Sequence, residues 1–161
     1  MQSNANNTKG IIIISHSYDW LPRNAHVVII AESGTTQIPN RYLKDYRQLK
    51  YIQMPEDIHT IVDYDFRNCT NLNSIVLPKR LYSIAVHCFL ECSKLKFIKL
   101  PNTVHHVQKR AFKDCSNLKY VILSESMKCI PNSLFQNCLK LKYLDIPSSV
   151  KEMKFSAFEK V

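Results

Sequence analysis

The stretch LKFIKLPNTVHHVQKRAFKDCSN, residues 95–117, runs directly into LKYVILSESMKCIPNSLFQNCLK, residues 118–140, and the two align position for position. The same 23-residue frame extends in both directions. Leu49, Leu72, Leu95, Leu118 and Leu141 open successive blocks. Phe66, Phe89, Phe112, Phe135 and Phe158 share a later position, and Cys69, Cys92, Cys115 and Cys138 share another. A fixed period of this length marks a solenoid, in which each unit buries its apolar edge against its neighbours.

Within residues 95–117, Leu95, Ile98 and Leu100 are spaced to converge inward, while Phe97 and Lys99 alternate outward as in a short strand. Pro101 has no amide proton, so it ends the ladder and begins a turn. Val104 and Val107 form a second inward pair on the return path. Ala111 and Phe112 read as one helical turn, with Cys115 three residues later on the same face. Pro55, Pro78, Pro101 and Pro147 share one position, with Ser124 as the exception. An earlier, worn copy spans residues 26–48. There Ile38-Pro39-Asn40 matches Ile130-Pro131-Asn132, Leu43 replaces the Phe and Tyr46 replaces the Cys. The expected organisation is a flexible polar tail over residues 1–10 and an N-terminal cap with a degenerate first repeat over 11–48. Five repeats follow over 49–161, the last one truncated. Residues 11–25, with Trp20, fit the period poorly, as terminal repeats do.

The unit Leu-x-x-Ile-x-Leu-Pro-x-x-Val-x-x-Ile-x-x-x-Ala-Phe-x-x-Cys resembles the BspA-type, or Treponema-type, leucine-rich repeat. The resemblance implies a leucine-rich-repeat solenoid: a curved right-handed coil with a parallel β-sheet on the concave face and short turns or helical turns on the convex side. It also implies a binding role, because members of the family often act as surface or adhesion proteins that bind host proteins.

Composition is that of a soluble globular protein, with 45% hydrophobic and 22% charged residues. The formal charge of +9 is uneven. Residues 1–65 hold 6 Lys/Arg against 7 Asp/Glu, and residues 66–161 hold 16 against 6. A basic second half suits nucleic acid, anionic lipid or an acidic protein, and it also serves solubility. The two glycines, Gly10 and Gly34, precede the clear repeats, which leaves no glycine-rich phosphate loop there. The apolar run Ile11–Ile14 is too short for a signal-peptide core or a membrane span. A cytoplasmic location is therefore expected, with export by a leaderless route as the other option.

The ladder cysteines are expected to be reduced and to pack as small apolar residues, since stacked parallel side chains do not suit a disulfide torsion. His87, Cys88, Cys92 and Cys69 invite a metal reading, but paired Cys-x-x-Cys spacing is missing, so neither metal nor cofactor is expected. No catalytic constellation stands out. His105-His106 lies in the variable return segment and reads as a pair of solvated side chains. Ser15, His16 and Asp19 are neighbours in sequence only.

Function is then sought in the outward strand positions, which the repeat does not dictate. One column carries Tyr51, Ser74, Phe97, Tyr120 and Tyr143; the one before it carries Lys50, Asn73, Lys96, Lys119 and Lys142. The second outward column holds Gln53, Val76, Lys99, Ile122 and Asp145. Two accounts fit an aromatic stripe beside a lysine stripe. Rings on adjacent strands can stabilise one another by roughly 0.2–1 kcal/mol per pair, or they can form a recognition surface. The favoured expectation is a non-enzymatic protein-interaction module that binds on the concave face through Lys50, Tyr51, Lys96, Phe97, Lys99, Lys119, Tyr120, Lys142 and Tyr143. Single-stranded nucleic acid on the same platform is the alternative; adhesion to host matrix proteins or glycans is the other that the resemblance implies. Leu141, Leu144, Ile146, Val150 and Phe158 are expected to leave an open apolar edge. That edge predicts self-association, cover by a partner, or a chain that is a fragment.

Overall fold

Three hydrogen-bonded ladders hold successive turns of the chain together. The computed structural model describes residues 11–14, 21–31 and 34–161. The tail assigned to residues 1–10, the cap residue Trp20 and the group Ser15, His16 and Asp19 lie outside the described residues. Every strand pair is parallel, as a coil of constant hand requires.

The first ladder is built from the Leu-x-x-Ile-x-Leu segments. β1 (Ile11–Ile14), β2 (Val27–Ile30) and β3 (Tyr51–Gln53) form one sheet. β6 (Phe97–Lys99), β8 (Tyr120–Ile122) and β10 (Tyr143–Asp145) form another. The second ladder lies on the return path. It comprises β4 (Thr60–Ile61), β5 (Ser83–Ile84) and β7 (His106–Val107), then β9 (Cys129–Ile130) paired with β11 (Glu152–Met153). The pairings Phe97↔Tyr120↔Tyr143 and Thr60↔Ser83↔His106 carry the 23-residue register directly into space. At the start the register changes: Val27 pairs with Tyr51, 24 residues on, and Ile11 with Val27, 16 residues on. The two ladders lapse at different coils. Residues 73–79 carry no strand in the first, but β4, β5 and β7 run unbroken past that gap.

The third ladder replaces the helical turn expected at Ala111–Phe112, and no helix occurs among the described residues. Each coil instead turns through two left-handed residues four positions apart, such as Arg110 (φ 59°) and Asp114 (φ 60°). Among the described residues twelve non-glycine residues adopt this conformation, in six pairs from Arg41 and Asp45 to Ser156 and Lys160. A helix would send each N–H back along its own chain. The left-handed corners turn them toward the next coil. Phe112 N–H donates to the Leu134 carbonyl at 3.1 Å and Asp114 N–H to Gln136 at 2.8 Å. Phe89 to Ala111 and Glu91 to Lys113 repeat the pair one coil earlier. Each such corner costs roughly 1–2 kcal/mol, less where Asn or Asp occupies it, as at Asp45, Asn68, Asp114 and Asn137. The inter-coil bond that it allows offsets about 1 kcal/mol of that cost.

Inside the coil the phenylalanines stack face to face: Phe66–Phe89 at 5.0 Å, Phe89–Phe112 at 5.1 Å, Phe112–Phe135 at 5.8 Å and Phe135–Phe158 at 5.9 Å between centroids. The cysteine ladder is polar as well as apolar. Each buried thiol donates to the carbonyl 26 residues earlier: Cys69 to Leu43, Cys92 to Phe66, Cys115 to Phe89 and Cys138 to Phe112, at 3.1–3.2 Å. Tyr46 stands in for cysteine by the same means, its hydroxyl reaching the Leu21 carbonyl at 2.6 Å. Ser124 replaces proline through its side chain, whose Oγ accepts the Ser126 N–H at 3.1 Å. In the last coil Leu141, Leu144, Val150 and Phe158 are half-buried against the core, while Ile146, Met153 and Phe155 are exposed.

All six cysteines are free thiols. Burial pushes Cys69 and Cys138 up to about 12, and raises Cys88, Cys92 and Cys115 well above the ordinary thiol range. Cys129 is half-exposed. Burial and then Glu152 raise its thiol as well, so a thiol-reactive chromophore should label one cysteine in the native protein, faster as pH rises, and the other five only on unfolding. Rapid labelling of two or more would show that the interior is open.

Candidate partner-binding site

The outward positions of β6, β8 and β10 place the aromatic column where a partner can reach it. Ile98, Val121 and Leu144 point inward between them, the first two fully buried, so the pleat turns Phe97, Tyr120 and Tyr143 outward. The three rings are 45%, 48% and 54% exposed. Lys96, Lys99 and Lys142 are exposed and Lys119 is half-buried. The lysine backbone is pinned by the ladder, with Lys119 N–H donating to the Lys96 carbonyl and Lys142 N–H to the Lys119 carbonyl, both at 2.9 Å.

Two of the expected residues are not joined to this group. Lys50 is exposed and Tyr51 half-buried, but Tyr51 opens β3 in the sheet of β1, β2 and β3, and Lys50 directly precedes it. Between the two sheets, residues 73–79 form no strand, and Val76 there is 67% exposed. The stripe is thus a three-ring platform plus a separate Lys50–Tyr51 pair. The physical cause is visible in the columns: Asn73 and Ser74 break the lysine and aromatic series at the coil where the ladder lapses.

The rings also bear on which account of the stripe applies. Ring stacking in this molecule joins the buried phenylalanines, Tyr64 with His87, and Tyr82 with His105. Among the described residues no such contact links Phe97, Tyr120 and Tyr143. Their faces are not spent on one another. Nor does any ion pair among the described residues engage Lys96, Lys99, Lys119 or Lys142, and the acidic residue on this face is Asp145.

A second group went unread in the sequence. His105 and His106 are exposed, as expected, but they are ordered against Tyr82. Tyr82 stacks on His105 at 4.9 Å, meets His106 edge-on at 5.2 Å, and its hydroxyl lies 3.2 Å from His106 Nε2. Tyr82 and His105, with His59, Thr60, Arg80 and Thr103, line a shallow groove of about 520 Å³ on the return face. The signal was present, since His59, Tyr82 and His105 share one 23-residue column. Reading the histidines as an adjacent pair concealed it.

The metal candidates do not converge. Cys69 and Cys92 spend their thiol protons on carbonyls, and among the described residues no three His, Cys, Asp or Glu side chains form a cluster that could hold an ion. Among those residues no helix is long and apolar enough to cross a membrane.

Comparison with known proteins gives a family match and several structural neighbours. The family model described as the BspA type leucine rich repeat region matches residues 36–161 in six copies. No curated protein matches the sequence. The structure is similar to that of a leucine-rich repeat protein from Bacteroides ovatus, at 30% identity and a TM-score of 0.73. That match covers 83% of this chain and 38% of the Bacteroides protein. A leucine rich repeat protein of T. pallidum matches at 23% identity and a TM-score of 0.71, over 90% of this chain and 79% of that one. A leucine rich cell surface protein from Faecalibacterium prausnitzii matches at 23% identity and a TM-score of 0.76, over 95% and 43%. The last two likenesses speak to the fold alone. The chain spans less than half the length of the Bacteroides and Faecalibacterium proteins.

Proposed function

The chain belongs to the BspA type leucine-rich repeat family, and from that membership we propose that it is a non-enzymatic module that captures a protein partner on the face of β6, β8 and β10. Leucine-rich repeat folds generally serve as protein-binding scaffolds and are typically non-catalytic. One observation carries the assignment to this face: among the described residues Phe97, Tyr120 and Tyr143 stand exposed and unstacked in one column, beside lysines without ionic partners. Large rings on a rigid sheet give contact area at little cost in side-chain entropy, and such residues dominate binding hot spots. The lysines add attraction for an acidic rim.

The test is a pull-down that compares the wild-type protein with Tyr120→Ala/Tyr143→Ala. Loss of the captured protein is expected, with a thermal midpoint within about 2 °C of wild type, because exposed side chains contribute little to folding. Capture of the same protein by both would place the partner on another face.

The free ring faces also favour a second reading, single-stranded nucleic acid, since bases stack on exposed rings beside cations. Fluorescence anisotropy with a labelled oligonucleotide separates the two. Tight binding that collapses between low and physiological salt would support this reading; no binding at low salt would remove it.

A further inference from the structure

Just after the return-path strands, the first left-handed corner carries Arg41, Tyr64, His87 and Arg110 in successive coils. The aromatic pair at its centre is stacked, Tyr64 on His87 at 5.1 Å with the planes 17° apart. The Arg41 guanidinium lies 5.3 Å from the Tyr64 centroid and that of Arg67 lies 5.7 Å from it. Cation–π contact of this kind aligns a guanidinium and leaves its N–H edge outward. Lys109 and Arg110 are exposed, and Arg67 and Lys113 half-exposed. His87 reports how closely these charges gather. Burial first, then Arg110, Arg67, Lys109 and Lys113 in turn, hold its imidazole below the ordinary range.

Several nearby carboxylates accept hydrogen bonds from amide groups. Asp63 accepts the Val86 N–H at 3.1 Å, Asp45 accepts the Asn68 amide at 2.9 Å and Asp114 accepts the Asn137 amide at 2.6 Å. Asp65 is buried on the Arg41 and Val62 N–H groups. Glu91 sits on the second corner column. Among the described residues no ion pair includes Arg41, Arg67, Lys109, Arg110 or Lys113.

We propose that this corner edge, where Arg41 and Arg67 lie over Tyr64 of the Tyr64–His87 stack and Lys109, Arg110 and Lys113 extend the row, binds a sulfated polysaccharide. The cations are spread along the coil axis over three steps, about 14 Å at the spacing of stacked strands, which suits a linear chain of anions better than one isolated anion. Sulfate groups take charge-assisted, forked bonds from guanidinium. A nucleic acid fits less well. Tyr64 is already engaged by His87 and by two arginines, so it offers little platform for bases. The edge is distinct from the proposed protein-binding face and does not depend on it.

The experiment measures binding of the full chain to heparin by surface plasmon resonance across a range of salt. The main variant is Arg67→Gln/Lys109→Asn/Arg110→Ser/Lys113→Gln, which borrows the residues of the Asn132–Gln136 corner and so keeps chemistry already tolerated there. It should bind at least about tenfold more weakly and with a shallower salt dependence, in the manner of lost counterion release. The smaller variant Lys109→Asn/Lys113→Gln, should the first not fold, is expected to lose about threefold. Lys96→Gln/Lys119→Gln/Lys142→Gln on the strand face should bind heparin like wild type, and desulfated heparin should not bind. The proposal is overturned by absence of heparin binding in the wild type, or by unchanged affinity in the corner variants. An equal loss from the strand-face variant, equal binding of the desulfated chain, or tighter binding of an oligonucleotide of matched charge overturns it as well.

Discussion

Phe112→Ala is expected to lower the stability of the solenoid by about 3–5 kcal/mol, the range for truncating a buried phenylalanine. Phe112 has no exposed surface and stacks on Phe89 on one side and Phe135 on the other. Removing its ring leaves a void between two rings held in place by their own coils, so the site can collapse only partly. In a quasi-linear repeat protein the loss falls at the centre, where it uncouples the coils before it from those after it. The thermal midpoint should drop by roughly 10 °C, and the transition should broaden as the two halves melt separately. Two comparisons sharpen the reading. Phe158→Ala, at the half-buried end of the same stack, should cost less. Phe155→Ala should cost almost nothing, since that ring is 90% exposed. If all three variants melt together with wild type, the stack is not what holds the coils.

Asp65 should make the protein less stable as pH rises from about 4 to about 7. It occupies the position that Cys88, Ala111, Leu134 and Ala157 fill in other coils, with no exposed surface. Its Oδ1 accepts the Arg41 N–H at 2.9 Å and its Oδ2 the Val62 N–H at 3.1 Å, so one carboxyl ties two coils together. Burial pushes it up to about 7, the two backbone donors pull it down less, and nearby Asp63 adds to the rise. An unfolded aspartate titrates near 3.9, so the folded state holds the proton more tightly. The contribution of this linkage is complete below about pH 4 and is lost as pH rises through about 7. Between pH 4 and 8 the wild type should lose on the order of 3 kcal/mol relative to Asp65→Asn, measured by urea unfolding at each pH. The other titrating groups are common to both proteins and cancel in the difference. Parallel stability curves would show that the carboxylate is ionised in the native state without penalty.

The period, the inward columns and the parallel stack were legible because a repeat writes the same geometric requirement many times over. Five phenylalanines at one position and four cysteines at another cannot satisfy any arrangement but coils of equal length. The corners were not legible. Ala111 and Phe112 have helical character locally, and their left-handed flanks, Arg110 and Asp114, contain no glycine to announce a positive φ. The conformation is imposed by the next coil, whose carbonyls accept the N–H groups that a helix would have used internally. The candidate face was half legible. Alternation on a strand sends Phe97, Tyr120 and Tyr143 outward whatever surrounds them. Whether neighbouring rings stack, and whether Lys50 and Tyr51 join the same sheet, depends on ladder continuity across residues 73–79.

Taken alone, the order of residues determined which side chains point in, how long each coil is and which columns line up, because those follow from period and pleat. Tertiary structure alone decided where the ladders break, which arginines meet Tyr64, that Tyr82 gathers two histidines, and that the cysteine thiols are donors as well as filler. Apart from Arg67, which meets Tyr64 within its own corner, those contacts join residues 23 to 26 positions apart, and their geometry exists only once one coil has settled on the one before it.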